Sequence, residues 1–356
     1  MKKKVRGLVL QGGGEFGAYE CGVIKALYLC YPDFRLDVVS GVSIGAINAA
    51  VLVGAKNDPV NTLEKTWLER FAVMDWPSPF GEVQYLFPPI LGTPGMSQIR
   101  FDSFLAPFRA TSIYDTSPLL RTLQEIIDLN RLNTSPTHLV TTAVDIETGE
   151  LTYFENKNQR SPFSLEMVLA SGSLAPNFPM TRARDQRSGK ESWYWDGGFS
   201  SNLPLTRVIN LLEQCDNGNE EVEREVFIIE LFPMRAHLPT NMLEVHNRII
   251  QLLFSSKMKL DQKLFNQFDS YIDLMHLIDG KIPDEVMDEI RQNDKAFNAY
   301  QSLIGHRKIK YIVITSTRSE SLSGAGDFSK ATIKDRIEAG YQDTFNKLDE
   351  LDLIPV

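Results

Sequence analysis

The chain has 356 residues, of which 43% are apolar and 23% charged, so it can bury a large core and is not disordered. A formal net charge of −9 argues against nucleic-acid binding and against a general attraction to anionic lipid surfaces. The three cysteines, Cys21, Cys30 and Cys215, are scattered, and neither C-x-x-C nor H-E-x-x-H occurs, which predicts a cytoplasmic protein without a bound metal. No run of about 18 apolar residues occurs, so no membrane-spanning segment is expected.

The first element is a predicted apolar strand over residues 5–10, followed by a glycine-rich loop and a helix over residues 18–29. The loop contains Gly12, Gly13, Gly14 and Gly17. Glycines allow successive backbone N–H groups to point toward one place at the start of a helix, where they bind negative charge. The loop is therefore predicted to form an oxyanion hole if a nucleophile lies beside it.

A dinucleotide-binding fingerprint is the alternative interpretation of this loop, because its glycines have the G-x-G-x-x-G spacing after a strand. That site requires an acid at the end of the second strand, whereas Asp37 stands at the beginning of it. Glu15 would also place a negative charge near the pyrophosphate. Both features disfavour a nucleotide-binding oxidoreductase.

The second predicted strand, residues 36–39, leads into Gly41, Ser43 and Gly45 of a G-x-S-x-G sequence and then into a helix over residues 46–52. This pattern between a strand and a helix is typical of a nucleophile elbow, in which larger residues at the two glycines would collide with the neighbouring strand and helix. If the first two strands are parallel neighbours, Ser43 lies beside the glycine loop at the C-terminal edge of the sheet.

The middle of the chain predicts a helix over 59–73, a long loop over 76–99, a helix over 119–129 and a hairpin of strands 138–146 and 151–154. The loop is rich in proline, glycine and aromatic residues. Such loops often shield a binding pocket, although these aromatics would equally pack the loop against the core.

A third candidate segment follows an aromatic strand at residues 193–195, where Asp196 precedes Gly197 and Gly198. An Asp-Gly-Gly sequence alone is usually a turn. Together with an elbow serine and a glycine loop, Asp196 becomes a candidate general base that accepts the serine proton.

After a predicted strand over 226–232, the pattern changes to helices over 241–268, 284–304 and 330–351, with a strand over 309–315. The first of these helices is basic and amphipathic, which predicts either peripheral contact with a membrane or packing against the core or a second copy in a homo-oligomer.

A Ser-His-Asp triad is the usual alternative for a serine hydrolase, and His306 is the histidine whose position late in the chain suits it. Its surroundings favour a basic, solvated helix end instead.

The ordered set of residues 12–17, 41–45 and 196–198 resembles the patatin-like phospholipases, in a bacterial branch with a C-terminal extension. The segment 170–179 also looks like the part of that family that lines the site. The resemblance implies a three-layer α/β fold with a central, mainly parallel sheet between helices, formed by residues 1–232, and an α-rich extension over 233–356. It also implies a catalytic dyad without histidine, in which Ser43 is the nucleophile and Asp196 the base.

The amides around Gly13 and Gly14 would then be the oxyanion donors, and no cofactor is expected. One departure from the family is that Phe16 and Glu15 occupy loop positions where many members carry a basic residue. The expected activity is carboxylic-ester hydrolysis on an acyl-ester or lipid substrate, of the phospholipase A type, through an acyl-enzyme on Ser43. Because a lone carboxylate is a weak base, Asp196 is expected to be partly buried. The alternative from another class is a non-catalytic module that binds a lipid or a partner.

Overall fold

The computed structural model describes residues 3–73, 92–105, 108–201, 204–215, 222–232, 238–240, 269–306, 309–316 and 327–354, with isolated positions between 244 and 267. The strands are β1 (Lys4–Leu10), β2 (Val38–Gly41), β3 (Gln98–Ile99), β4 (Tyr114–Asp115), β5 (His138–Asp145), β6 (Leu151–Glu155), β7 (Thr181–Arg184), β8 (Glu191–Asp196), β9 (Glu223–Glu230) and β10 (Lys310–Thr315). The α-helices are α1 (Gly17–Cys30), α2 (Ile44–Gly54), α3 (Pro59–Lys65), α4 (Phe101–Leu105), α5 (Ser117–Ile126), α6 (Leu129–Thr134), α7 (Leu165–Ser171), α8 (Leu205–Cys215), α9 (Asp284–Gln292), α10 (Asp294–Gly305) and α11 (Lys330–Glu350).

Eight of these strands form one mixed, mostly parallel sheet, in which β1 lies between β2 and β9. The first two strands are parallel neighbours, with Leu8 opposite Val39 and Leu10 opposite Gly41, so the condition for placing Ser43 beside the glycine loop is met. Strand β1 is buried at every position after its first residue, as expected for a parallel strand covered by helices on both faces.

Helices cover both faces of the sheet and make the fold three-layered. Alternate side chains of β1 show this directly, because Leu8 and Leu10 belong to the core under α1 and α2, whereas Val9 belongs to a second core against Val208 and Leu212 of α8. The predicted three-layer α/β architecture is therefore confirmed.

Strand β5 brings together two chain segments that are distant in sequence. It pairs with β6 along one edge, in the hairpin that the sequence predicted. Val140 and Ala143 both pair with β6 on that edge. Val140 also pairs with Ser40 of β2, and Ala143 also pairs with Asp196 of β8. Strands β2 and β8 therefore both lie on the other edge of β5. Because β2 is parallel to β5 and β8 is antiparallel to it, the two strands run toward each other and both end near Thr142.

The C-terminal region contributes to the same sheet and to the layer of α1. Strand β10 pairs in parallel with β9. Helix α11 lies so close to α1 that a Cβ atom at Gly22 would stand 1.9 Å from the carbonyl oxygen of Ile337, and one at Gly340 would stand 2.1 Å from that of Tyr19. The division of the chain into units 1–232 and 233–356 stays a prediction.

Several predicted helices are divided in the structure. The single helix predicted over 284–304 is wrong, since α9 ends before Asn293, whose side chain accepts a hydrogen bond from the N–H of Ala296 and starts α10. The predicted helix 59–73 continues from α3 into a π-helical turn, Thr66–Phe71. The helix predicted over 119–129 corresponds to α5, after which α6 begins separately.

Two predicted segments fall largely on residues that are not described. These are the loop 76–99, of which only 92–99 is described, and the amphipathic helix 241–268 with its predicted membrane contact. Among the helices within the described ranges, none is both long enough and apolar enough to cross a bilayer.

Candidate active site

Ser43 stands at the sharp turn between β2 and α2. Its backbone has φ 55° and ψ −122°, a left-handed conformation that a residue with a Cβ atom adopts at a cost of about 1–3 kcal/mol. It occupies the N-cap position of α2, but its side chain makes no capping hydrogen bond to the helix. Since capping is the ordinary structural role of such a serine, its absence leaves the half-buried hydroxyl available for chemistry.

The glycines on either side of Ser43 are required by close backbone contacts. A Cβ atom at Gly41 would stand 2.1 Å from the carbonyl oxygen of Gly45, and one at Gly45 would stand 2.6 Å from that of Leu10. The N–H of Val42 also donates to the carbonyl of Leu10 at 3.2 Å. The turn is thus pressed against the end of β1, directly before the glycine loop.

Asp196 is the last residue of β8 and is 2% exposed. Its Oδ1 accepts a hydrogen bond from the N–H of Gly198 at 2.8 Å. Burial raises the pKa of Asp196 to about 7, and the nearby Ser43 hydroxyl and the hydrogen bond from the Gly198 N–H offset part of that rise. A carboxyl group with this pKa is half ionised near neutral pH, which suits a general base.

The contact between Asp196 and Ser43 is close without being a fully formed hydrogen bond. The serine is near enough to lower the pKa of the acid, yet Oδ2 of Asp196 has no partner of ordinary hydrogen-bond geometry among the described residues. Catalytic hydrogen bonds are often long before substrate binds.

The end of α7 and the segment that follows it contact both residues. The N–H of Ser43 donates to Oγ of Ser171 at 3.1 Å, and the N–H of Asp196 donates to the carbonyl of Ser173 at 3.0 Å. Ser173 is itself fixed by hydrogen bonds from its hydroxyl to Leu169 and with Thr181. The sequence pointed to this segment by resemblance, but it did not single out Ser171.

Gly13 and Gly14 form the turn that leads from β1 into α1. Gly14 has φ +57°, and a Cβ atom there would meet nothing within 4 Å, so the loop faces open space at this point. The N–H of Phe16 donates to the carbonyl of Gly13 at 3.2 Å, and that of Gly17 to the carbonyls of Gly14 and Glu15. Of the four loop glycines, Gly17 therefore has its N–H occupied within the turn.

Gly17 also has a packing role. A Cβ atom there would stand 2.4 Å from Cγ1 of Ile44 and 2.8 Å from the ring of Trp67. It thus allows the start of α1 to lie against the start of α2, beside Ser43. On the other side, Gly197 has a similar role, since its Cβ atom would stand 2.5 Å from the carbonyl oxygen of Thr142 in β5.

A buried polar network behind the loop was missed from the sequence. Asn48 of α2 donates from Nδ2 to the Gly17 carbonyl at 3.0 Å and to Glu20 at 2.8 Å, and it accepts from the indole of Trp67 at 3.0 Å. Burial raises the pKa of Glu20 well above its ordinary value, which favours the protonated acid. The signal available in the sequence was a polar residue within each of two apolar helices.

The described histidines have other partners. His306 accepts or donates a hydrogen bond with Glu213 at 2.7 Å, and His138 does so with Glu155 at 2.9 Å. Asp37 accepts from the N–H of Arg6 before β2 begins, at the opposite end of the strand from the place where a dinucleotide site needs its acid. In the described ranges, no cluster of three or more His, Cys, Asp or Glu side chains is arranged to hold a metal ion.

Comparison with known proteins gives matches of two kinds. The family model described as patatin-like phospholipase matches residues 8–209. Among solved structures, VipD from Legionella pneumophila is similar to this chain, with 15% sequence identity and a TM-score of 0.41 over 98% of this chain and 67% of that one. No curated protein matches the sequence. Since the family match covers more than half of the 356 residues and includes both Ser43 and Asp196, the chain belongs to the patatin-like phospholipase family.

Proposed function

We propose that this protein is a serine hydrolase that cleaves carboxylic esters of lipids, of the phospholipase A type, through an acyl-enzyme on Ser43. The observation that carries the proposal is the strained Ser43 turn placed beside Asp196, a buried acid whose pKa is about 7. Membership of the patatin-like phospholipase family supports lipid acyl hydrolysis as the class of reaction.

In the first half of the reaction, the ester carbonyl carbon is attacked by Oγ of Ser43 while Asp196 accepts the hydroxyl proton. The carbonyl oxygen becomes negative and receives hydrogen bonds from the N–H groups of Gly13 and Gly14, at the open side of the loop. The start of α2 adds a favourable partial positive charge. The bond to the alcohol then breaks, and protonated Asp196 returns its proton to the leaving oxygen.

In the second half, water attacks the acyl carbon of the Ser43 ester while Asp196 again accepts a proton. The tetrahedral intermediate uses the same N–H donors, and its collapse releases the fatty acid and regenerates the Ser43 hydroxyl. One carboxyl group serves both halves because its pKa of about 7 makes it able to accept and return a proton near neutral pH.

The test combines active-site labelling with turnover. The native chain is treated with a fluorophosphonate and its intact mass measured, and its activity is followed on p-nitrophenyl esters of increasing chain length and on phospholipid vesicles. We expect one label per chain in the native protein and none in Ser43→Ala. Asp196→Asn should lose turnover by at least about a hundredfold, since general base catalysis contributes about 10²–10⁴.

Two controls separate this mechanism from its competitors. His306→Ala should keep full labelling and turnover, because a Ser-Asp dyad has no use for the Glu213-paired histidine. If His306→Ala loses activity while Asp196→Asn keeps it, the base has been wrongly identified. If the native chain neither labels nor turns over but retains lipid, the chain is a binding module on this fold and the hydrolase proposal fails.

A further inference from the structure

Helix α11 carries a buried charge that packs against the glycine loop. Arg336 is 2% exposed, and its guanidinium lies over the ring of Phe16 with 4.6 Å between the guanidinium carbon and the ring centroid. Its Nη1 donates to the carbonyl of Asp327 at 2.9 Å and, at the longer distance of 3.5 Å, to that of Glu15. A buried arginine is costly unless it is well paired, so these contacts account for its position.

Phe16 and Glu15 are the two residues that follow the candidate oxyanion donors. The Phe16 N–H closes the turn by donating to the Gly13 carbonyl, and the Phe16 ring packs edge-on against Phe232 with centroids 5.5 Å apart. The guanidinium and Phe232 therefore both contact the ring that ends the turn. Because the N–H of the same residue closes the turn, restraining the Phe16 ring also restrains the orientation of the peptide planes in the turn.

The turn packs against Leu231 and Phe232 on the side of Gly13 and faces open space at Gly14. Gly14 is in a left-handed conformation with nothing within 4 Å of a Cβ position, and glycine has many accessible backbone states. Oxyanion stabilisation depends on N–H donors that are already oriented when charge develops. A loop of glycines needs support from neighbouring elements to satisfy that condition.

Helix α11 is itself fixed firmly against α1. Gly22 and Gly340 permit backbone contact between the helices, and the Tyr19 hydroxyl donates to Asp343 at 2.9 Å. Arg336 is therefore presented from a rigid support. It also lies outside residues 8–209, the part of the chain that matches the family model.

We propose that Arg336 is a positioning residue for the oxyanion loop, which it orients by packing on Phe16 and binding the Glu15 carbonyl. The inference rests on the proposed hydrolase function for its catalytic consequence. It makes the C-terminal helix part of the machinery that prepares Gly13 and Gly14, although no residue of that helix is expected to touch the substrate.

The experiment measures the loop and the reaction separately in the full chain. Hydrogen–deuterium exchange of peptides covering residues 12–17 reports the order of the loop without any need for activity. Steady-state hydrolysis of a p-nitrophenyl ester gives kcat and KM. The variants are Arg336→Met, Arg336→Lys and Phe16→Leu, and the matched control is Lys334→Met, which removes one positive charge from an exposed site of the same helix.

We expect Arg336→Met to speed exchange in residues 12–17 about tenfold and to lower kcat by about 10- to 100-fold, with KM within about threefold of the native value. An oxyanion donor acts in the transition state, and losing one outright costs about 10²–10³ in kcat. Phe16→Leu should have a similar effect, and Arg336→Lys should recover part of both. Lys334→Met should change neither.

Exchange and kcat that stay within twofold of the native values in folded Arg336→Met would overturn the proposal. If Arg336→Met does not fold, the same result in Phe16→Leu would overturn it. Faster loop exchange in variants of a native chain that shows no turnover would support the anchoring role and reject the hydrolase function. Unchanged loop exchange in Arg336→Met and Phe16→Leu, with a native chain that hydrolyses the ester, would reject the anchoring role and support the hydrolase function.

Discussion

Replacing Asp196 with asparagine should make the protein more stable at alkaline pH while abolishing its activity. The substitution keeps the size of the side chain and an oxygen that can accept the hydrogen bond from the Gly198 N–H. It removes the ability of the buried group to ionise and puts an amide NH2 at the position of Oδ2, which has no hydrogen-bond partner of ordinary geometry among the described residues. The prediction therefore concerns the electrostatic cost of the site rather than its packing.

The magnitude follows from the pKa of Asp196, which burial raises from 3.8 to about 7. The folded protein holds this proton more tightly than the unfolded chain does, so the native chain loses stability as pH rises between these two values. Each pH unit of that interval is worth about 1.4 kcal/mol, and the cost of ionisation therefore reaches about 4 kcal/mol above pH 7. Below about pH 4 the carboxyl is protonated in both states and the cost disappears.

The assay is urea denaturation from pH 4 to pH 9 of the native chain, Asp196→Asn and the exposed-site control Asp349→Asn. The free energy of unfolding of Asp196→Asn should exceed that of the native chain by a few kcal/mol at pH 8–9, with the difference closing toward pH 4. Asp349→Asn should follow the native chain throughout. A difference for Asp196→Asn that does not change with pH would refute the reasoning.

The same ionisation should govern catalysis. Because the base must be unprotonated to accept the Ser43 proton, kcat/KM of the native enzyme should rise with pH and level off above a midpoint near 7. A profile that is flat from pH 5 to pH 9 would contradict Asp196 as the base.

Three further substitutions test the backbone of the site and its supporting sheet. The free energy of unfolding of Ser43→Gly should exceed that of Ser43→Ala by about 1 kcal/mol, because only the alanine variant retains the strain of φ 55°. Equal urea midpoints for the two variants would mean that the turn is not strained. Gly45→Ala should lower the free energy of unfolding by about 1–3 kcal/mol and abolish fluorophosphonate labelling, since the new Cβ would stand 2.6 Å from the Leu10 carbonyl oxygen. Denaturation of Gly45→Ala at the native urea midpoint would count against that close contact. Glu225→Gln should cost about 3 kcal/mol at pH 7, because it leaves Arg6 buried without the carboxylate that binds it at 2.9 Å. Burial raises the pKa of Glu225, but its hydrogen bonds and ion pairs outweigh burial, and the pKa is lowered. The stabilisation from Glu225 is therefore present above its ordinary pKa and should fade as pH falls below about 4. A difference in unfolding free energy between Glu225→Gln and the native chain that persists at pH 3 would argue against an ionic origin.

The parts of the site that were predictable from sequence are those with local causes. A serine between two glycines, after an apolar strand and before a helix, has few conformations open to it, and the elbow at Ser43 could be placed for that reason. The glycine loop had the same kind of local signature. A mainly parallel sheet was expected from the family resemblance, and the pairing of the two strands before these segments remained a condition until the structure was known.

The contacts that depend on distant residues were not predictable. Nothing near Arg336 in sequence indicates that it packs on Phe16, because 320 positions separate them. Ser171 likewise receives the Ser43 N–H only because α7 ends beside the elbow. The single helix predicted over 284–304 failed for a different reason, since Asn293 is an ordinary residue in a helical pattern until its side chain caps the next helix.

Strand β5 sets the spacing of the site although it contributes no side chain to the proposed chemistry. Gly41 at the end of β2 is aligned with Thr141, and Asp196 at the end of β8 is aligned with Ala143. The ends of β2 and β8 are therefore separated by two residues along β5. At about 3.3 Å a residue, that interval is about 7 Å. Inserting or deleting one residue of β5 in this interval would change the separation between the serine and the acid by about 3.3 Å. The length of β5 is therefore constrained more tightly than the identity of its side chains, and sequence changes in this strand should accumulate as substitutions rather than as gaps.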